Sequence, residues 1–205
     1  MIGIVDYGMG NLGSVEHALA ALSAPFARVA TPDALARCDA LILPGVGAFG
    51  DCMANLARSA LVAPLRDWIA ADRPFLGICL GLQALCDASD EAPGVPGLGI
   101  VPTHCLRFSP PPGSGLKVPQ IGWNRVEYPA DAPLPLLSGI PSGTYFYFVH
   151  SYYLPTAPGF AVATARYPAP YAAAIQRSRV AAVQFHPEKS QAAGLRLLRN
   201  FLASI

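Results

Sequence analysis

Phe75-Leu76-Gly77-Ile78-Cys79-Leu80-Gly81-Leu82-Gln83 joins two kinds of local pattern across one bend. Phe75 to Ile78 is a short apolar run that reads as a buried strand, and Leu80 to Cys86 reads as a helix. Gly-x-Cys-x-Gly between them is the pattern of a nucleophile elbow with cysteine in the central place. Glycine at both flanks suits such a bend, because a side chain there would collide as the strand turns sharply into the helix. Amides at a helix start favour a thiolate, and an ordinary thiol with a pKa of about 8.5 is only a few per cent ionised near neutrality. Taken alone, the pattern is equally the mark of a small buried residue in a glycine-rich turn.

The segments upstream set the fold class. Met1 to Val5 is apolar and ends at Asp6, and the turn Gly8-Met9-Gly10-Asn11 precedes helical spacing from Leu12 to Leu22. Phe26 to Ala30 reads as a second strand, Asp33 begins a short helix, and Ala40 to Leu43 is a third strand ending in Pro44-Gly45-Val46-Gly47. A helical stretch between Asp51 and Ala71, with Pro64 as its expected break, leads to the strand at Phe75. Strands alternating with helices imply a parallel sheet covered on both faces. After about Asp87 the texture changes to short runs separated by Pro and Gly: Gly99–Val101, Lys117–Val126, Tyr145–Val149, Ala161–Ala165, Ala172–Gln176 and Val180–Phe185. These predict antiparallel or mixed pairing. Ser190 is a candidate N-cap for a last helix with Leu195, Leu198, Phe201 and Leu202 on one face.

Composition limits the alternatives. The chain has 205 residues, 53% of them hydrophobic, which predicts one domain over residues 1–205. Fourteen Lys and Arg against 13 Asp and Glu leave a formal net charge of +1, so neither nucleic acid nor an anionic membrane is indicated as a partner. Charged residues make up only 13%, which fits either an apolar face covered by a partner or a compositional bias toward Ala, Pro and Gly. The stretch without charge from Ala132 to Ala165 is interrupted by Pro133, Pro135, Pro141, Pro155 and Pro158 and cannot be a membrane helix. The N-terminus shows no basic lead or cleavage-like segment, which makes the cytoplasm the expected location. Cys38, Cys52, Cys79, Cys86 and Cys105 form no CxxC pair and stand in no zinc-like spacing with histidine, so no metal and no disulfide framework is expected.

Phe185-His186-Pro187-Glu188 follows the strand-like Val180 to Gln184. His186 and Glu188, two apart on an extended stretch, share a face and can act as base and orienter. His17, His104 and His150 are the competing histidines, and a lone His after a strand is usually a packed or surface residue. Pro44-Gly45-Val46-Gly47 could offer a backbone N–H to an oxyanion, or be a plain turn that uses glycine for φ > 0.

Together, Gly77-Ile78-Cys79-Leu80-Gly81-Leu82-Gln83 and Gln184-Phe185-His186-Pro187-Glu188 closely resemble the signatures of the class I, or triad, glutamine amidotransferases. Four further stretches narrow the resemblance to the glutaminase subunits of imidazole glycerol phosphate synthases. They are Asp6-Tyr7-Gly8-Met9-Gly10-Asn11-Leu12, Leu43-Pro44-Gly45-Val46-Gly47-Ala48-Phe49-Gly50, Gly122-Trp123-Asn124 and Tyr147-Phe148-Val149-His150-Ser151-Tyr152. The resemblance spans nearly the whole chain. It implies an α/β fold of three layers, flavodoxin-like, with a mostly parallel central sheet, helices on both faces and added antiparallel strands in the C-terminal half. It also implies that Cys79 attacks the carboxamide of L-glutamine, His186 shuttles the proton and Glu188 orients His186, through a glutamyl thioester. Gly47 and Leu80 would supply oxyanion N–H groups, and Gln83, Ser151 and Tyr152 would bind substrate. Ammonia would pass to a (β/α)₈-barrel cyclase subunit in a heterodimer serving histidine biosynthesis, with Trp123, Asn124 and Lys189 at or near the interface. No cofactor is implied. Gln120 stands where many members have His, Ile121 where Met is common, and Cys52 where a small residue such as Ala is usual. Two other readings stay open: a glutaminase component of a different synthase, and a non-catalytic subunit that keeps the fold as a scaffold.

Overall fold

The computed structural model describes residues 1–129 and 134–205, so the first part of the charge-free stretch, Ala132 and Pro133, lies outside the described residues. The first four strands are β1 (Ile2–Val5), β2 (Phe26–Val29), β3 (Ala40–Gly45) and β4 (Phe75–Cys79), and all run parallel to their neighbours. Between them lie α1 (Leu12–Ala21), α2 (Pro32–Ala36), α3 (Phe49–Arg58) and α4 (Val62–Ala70). The elbow helix α5 (Leu80–Gln83) is followed by β5 (Cys86–Ser89), β6 (Val101–Arg107), β7 (Gln120–Val126), β8 (Thr144–His150), β9 (Tyr152–Tyr153), β10 (Ala161–Arg166), β11 (Pro170–Arg177) and β12 (Val180–Val183). The last helix is α6 (Gln191–Leu202).

The main sheet has seven strands in the order β10-β11-β12-β4-β3-β1-β2. β12 is parallel to β4, whereas β10, β11 and β12 are antiparallel to one another. This agrees with the expected parallel sheet extended by antiparallel strands. Every residue of β1, β3, β4 and β12 is buried, as it must be where helices cover both faces. The side-chain period of two sorts them between two cores. Ala40 and Ile42, Leu76 and Ile78, Ala181 and Val183 pack with α1 and α6 on one face. Leu41, Leu43, Phe75, Val180 and Ala182 pack with α3 and α4 on the other. β5, β6 and β9 form a small separate sheet, and β7 pairs with β8 in an antiparallel ribbon.

Several local expectations are corrected. The helical stretch from Asp51 to Ala71 breaks at Ser59–Leu61, not at Pro64, which sits in the first turn of α4, where a missing N–H costs nothing. The break is a Schellman closure: Leu61 N–H donates to Leu56 O at 2.9 Å and Ala60 N–H to Ala57 O at 3.0 Å, with Ala60 at φ 53°. Ser23 and Asp72 hold the same left-handed position after α1 and α4. None of the three is glycine, so the usual stop signal was missing. α2 starts at Pro32, with Thr31 accepting the Ala34 N–H, so Asp33 is inside the helix. The helix expected through Cys86 ends at Gln83, and Gly99 lies in the loop before β6. Leu98 N–H reaches Ala84 O at 2.7 Å and Gly99 N–H reaches Cys86 O at 3.1 Å, so a later loop takes the carbonyls that a continuing helix would have used.

Candidate active site

Cys79 closes β4 with φ 54° and ψ −105°, a left-handed conformation that a side-chain-bearing residue adopts only under constraint. The flanking glycines are required by space. A Cβ on Gly81 would stand 2.0 Å from Leu43 O, and one on Gly77 would stand 2.7 Å from Gly81 O. The chain therefore bends back against β3 and lifts the sulfur above the carboxyl ends of the parallel strands, where open α/β sheets bind ligands. α5 is only four residues long, so its dipole is a weaker aid to the thiolate than a full helix. Gln184 Nε2 approaches Sγ at 3.6 Å and Val149 O lies 3.9 Å from it.

His186 leaves the end of β12, the strand next to β4. Its Nδ1 lies 2.7 Å from Glu188 Oε1, and each of the two side chains is only 2% exposed. Nε2 has no hydrogen-bond partner among the described residues, and neither has Glu188 Oε2. Burial by itself would depress the imidazole pKa. The Cys79 thiol and the Glu188 carboxylate outweigh it and raise the pKa to about 10. Cys79 is thus near enough to act on the ring, although no hydrogen bond joins sulfur and Nε2 in this arrangement.

The turn that carries His186 is held from both sides. His186 N–H donates to Tyr147 O at 2.9 Å, while Ser190 Oγ donates to His186 O at 2.6 Å and accepts the Tyr147 N–H at 3.0 Å. Ser190 stands at the N-cap position of α6, but its side chain caps nothing and instead ties this turn to β8. α6 can lie this close because residue 194 is glycine; a Cβ there would stand 1.8 Å from Pro187 O.

A cavity of about 310 Å³ opens here, the size of a small-metabolite pocket. Gly47, Cys79, Leu80, Gln83, Ser151, Tyr152 and His186 all line it, with Glu188 behind His186. Gly47 is at φ 100°, and a Cβ there would meet Met9 Cε at 2.6 Å. A Cβ on Gly45 would stand 2.7 Å from both Leu80 Cβ and the Tyr7 hydroxyl. That hydroxyl donates to Pro44 O at 3.1 Å and anchors the root of the Gly45–Gly47 segment. Gln83 Nε2 donates to Tyr152 O at 2.9 Å and to Gln184 Oε1 at 3.1 Å.

Glu91 also lines the cavity, and its Oε2 accepts the Phe49 N–H at 2.8 Å. No motif pointed to it, and Gln184 and Tyr7 stand in the motif stretches without a role assigned to either; only folding shows what they touch. The competing histidines separate cleanly. His17 and His104 are exposed and do not line the cavity, and His104 pairs with Asp90 at 2.8 Å. His150 reaches the cavity wall but is buried, and burial pushes its pKa down to about 4.

Trp123, Asn124 and Lys189 do not line the cavity. Trp123 is 46% exposed on the β7–β8 ribbon, beside Ile121 at 64% and Tyr145 at 49%. A family-independent reading would have made Trp123 a core aromatic, whereas alternation along β7 and pairing with β8 set all three on one outer face. Trp123 and Lys189 flank Tyr147, at 6.1 Å ring to ring and 5.9 Å ammonium to ring. Asn124 Nδ2 donates to Arg166 O at 3.1 Å. Among the described residues no group of three or more His, Cys, Asp or Glu could hold a metal ion, and no helix is long and apolar enough to cross a membrane.

The sequence pattern of the family described as glutamine amidotransferase class-I matches residues 3–205. The chain is 50% identical over 208 residues to the imidazole glycerol phosphate synthase subunit HisH of Methylococcus capsulatus, covering 98% of this chain and 95% of that one. It is 46% identical to the HisH subunit of Methanothermobacter thermautotrophicus, covering 100% and 99%, and 47% identical to that of Moorella thermoacetica, covering 98% and 93%. In fold it is similar to a crystal structure of a glutamine amidotransferase, with TM-score 0.76, 20% identity and coverage of 99% and 97%. A chain in the structure of PurLQS from Thermotoga maritima gives TM-score 0.74, 19% identity and coverage of 98% and 97%.

Proposed function

Because the chain belongs to the class-I glutamine amidotransferases, and within them to the HisH subunits of imidazole glycerol phosphate synthase, we propose that it works by a Cys79–His186–Glu188 triad. It is the glutaminase subunit of that synthase, acting in histidine biosynthesis beside a partner subunit. In the proposed mechanism the thiol proton passes to His186 Nε2, whose raised pKa favours the imidazolium–thiolate pair, and the thiolate attacks the carboxamide carbon of glutamine. The imidazolium then returns the proton to the leaving nitrogen, which departs as ammonia, and a glutamyl thioester remains. Water, deprotonated by the same ring, hydrolyses the thioester to glutamate. Glu188 keeps Nδ1 protonated and stabilises the imidazolium as it forms.

The observation that carries this reading is the buried His186–Glu188 pair, with Nε2 left without a hydrogen-bond partner, in the same cavity as a sulfur held on a strained bend. N–H groups of Gly47 and Leu80 are assigned to the tetrahedral oxyanion. Gln83, Ser151 and Tyr152 are assigned to the amino-acid end of glutamine, and the Glu91 carboxylate suits its ammonium. The partner is a (β/α)₈-barrel cyclase subunit that docks on the face of Trp123, with Asn124 and Lys189 at or near the contact, and receives the ammonia. The proposed location of the heterodimer is the cytoplasm. Glutamate release measured with and without the cyclase and its nucleotide substrate tests the assignment. Strong stimulation by the loaded partner is expected, and a rate indifferent to the partner would overturn the dependence.

A further inference from the structure

Tyr152 O accepts two hydrogen bonds, from Gln83 Nε2 at 2.9 Å and from His150 Nδ1 at 2.8 Å, which uses both lone pairs of a carbonyl at the cavity wall. A carbonyl can only accept, so Nδ1 must carry the ring proton. His150 is buried and neutral, which leaves Nε2 bare. The Tyr171 hydroxyl lies 3.3 Å from that Nε2 and 3.0 Å from Gln120 Oε1 as the amide is placed. Tyr171 is 1% exposed and has one proton for two neighbours. If it were given to Gln120, Nε2 and the phenol oxygen would face each other as two acceptors in the interior. The proton count is satisfied when the Gln120 amide is turned over, Oε1 and Nε2 exchanged, so that its NH₂ donates to the phenol oxygen and the phenol donates to Nε2 of His150. An amide fits either way round, so the count decides its orientation.

We propose that Gln120, Tyr171 and His150 form a one-way hydrogen-bond chain ending on Tyr152 O, which makes Gln120 and Tyr171 positioning residues for glutamine binding and ties β7 to the glutamine pocket. The proposal rests on the glutaminase reading above. The chain is short and stiff. Gln120 and His150 face each other in the β7–β8 ladder, and Tyr171 stands between them from β11. Its ring packs edge-on against Phe108 and Phe148, at 5.5 and 6.1 Å between centroids. Gln120 is 5% exposed and the next residue, Ile121, is 64% exposed. A shift of the outer ribbon under a docking partner therefore meets the first donor of the chain within one residue, and the last acceptor lines the site.

The tautomer and the kinetics test it separately. Nitrogen NMR of the His150 ring in the full-length protein is expected to show protonated Nδ1 and bare Nε2, and the opposite tautomer overturns the direction. In the complex with the cyclase, Gln120→Glu assayed at alkaline pH replaces a donor by a carboxylate that can only accept. The glutamine KM is expected to rise about tenfold, while kcat and the alkylation rate of Cys79 stay within about twofold. Were Tyr171 the donor to Gln120, the carboxylate would strengthen that bond and KM would hold, which overturns the proposal. Tyr171→Phe is expected to raise KM to the same extent and to add nothing on top of Gln120→Glu; additive effects would show that the two do not act through one chain. A wild-type complex that released no glutamate would retire the glutaminase reading, and the tautomer measurement would still decide the chain.

Discussion

Gly45 and Cys79 are direct partners in the parallel ladder between β3 and β4. The backbone that continues from Gly45 to Gly47 therefore starts beside Cys79, the proposed nucleophile, and its course is set by what packs beneath it. Tyr7 holds Pro44 O, Leu80 lies against Gly45, and Met9 lies under Gly47. An oxyanion donor built here is a strand end held against its neighbour.

Gly47→Ala introduces a Cβ 2.6 Å from Met9 Cε at a residue whose φ is 100°. The tip of Met9 can swing aside, but a φ of 100° is strained for any side chain, so the segment is expected to relax and carry its N–H with it. The expected loss in kcat is about 10²–10³-fold, the range for removing one oxyanion donor. Alkylation of Cys79 by iodoacetamide, which needs no oxyanion hole, should keep its rate. Parallel loss of both would place the damage in the nucleophile.

Cys79→Ala removes the attacking atom and relieves the left-handed strain at that position only in part, since Ala also carries a Cβ. Glutamate release should fall at least a thousandfold, as when a triad nucleophile is deleted. Glutamine should still bind, which isothermal titration would register. Release at the parental rate would exclude Cys79 as the nucleophile.

Glu188→Gln keeps the shape beside His186 Nδ1 and removes the charge. One of the two groups that raise the imidazole to about 10 is lost, so its pKa must fall. A group whose pKa is raised in the folded state stabilises fully below its unfolded value, about 6.5, and that stabilisation is lost as pH rises from there to about 10. Urea midpoints of the parent should decline across this window, and those of the variant should decline less. Turnover should drop about a hundredfold or more, since the ring loses its orienter.

The elbow was legible because its two glycines are dictated by the bend itself: Gly77 and Gly81 touch backbone only a few residues away or on the neighbouring strand. The His186-x-Glu188 pair was legible as a motif, but the extended stretch expected to join the two is instead a 3-10 turn, Pro187–Lys189, from which Glu188 folds back onto His186 Nδ1. Glu91 was not. It reaches the cavity from just after β5 and bonds the start of α3, a contact between residues 42 apart that no local pattern encodes. Gly194 was silent as well, because its necessity is a carbonyl of another turn. The ends of α1 and α4 fell within a residue of the expected Leu22 and Ala71, whereas the break at Ala60 escaped because left-handed closure was carried by a residue that usually avoids it. What the sequence hid was, in each case, a long-range contact or a backbone conformation taken by an unexpected residue.

Trp123 gives the sharpest separation of partner binding from folding. At 46% exposure, with Ile121 and Tyr145 more exposed still, it contributes little to the cores, which lie on the two faces of the main sheet. Trp123→Glu puts a carboxylate in the middle of that apolar face without opening a cavity. Thermal unfolding of the isolated chain should shift by no more than about 2 °C, consistent with a surface substitution. Association with the cyclase should weaken by at least about thirtyfold, because a central aromatic is lost and a charge must be desolvated in its place. Lys189→Ala, at the edge of the same face, should cost much less, since a solvated ammonium 5.9 Å from the Tyr147 ring is worth little at a rim. Surface plasmon resonance on the two variants would measure the ranking. Equal small losses would move the docking face away from the ribbon.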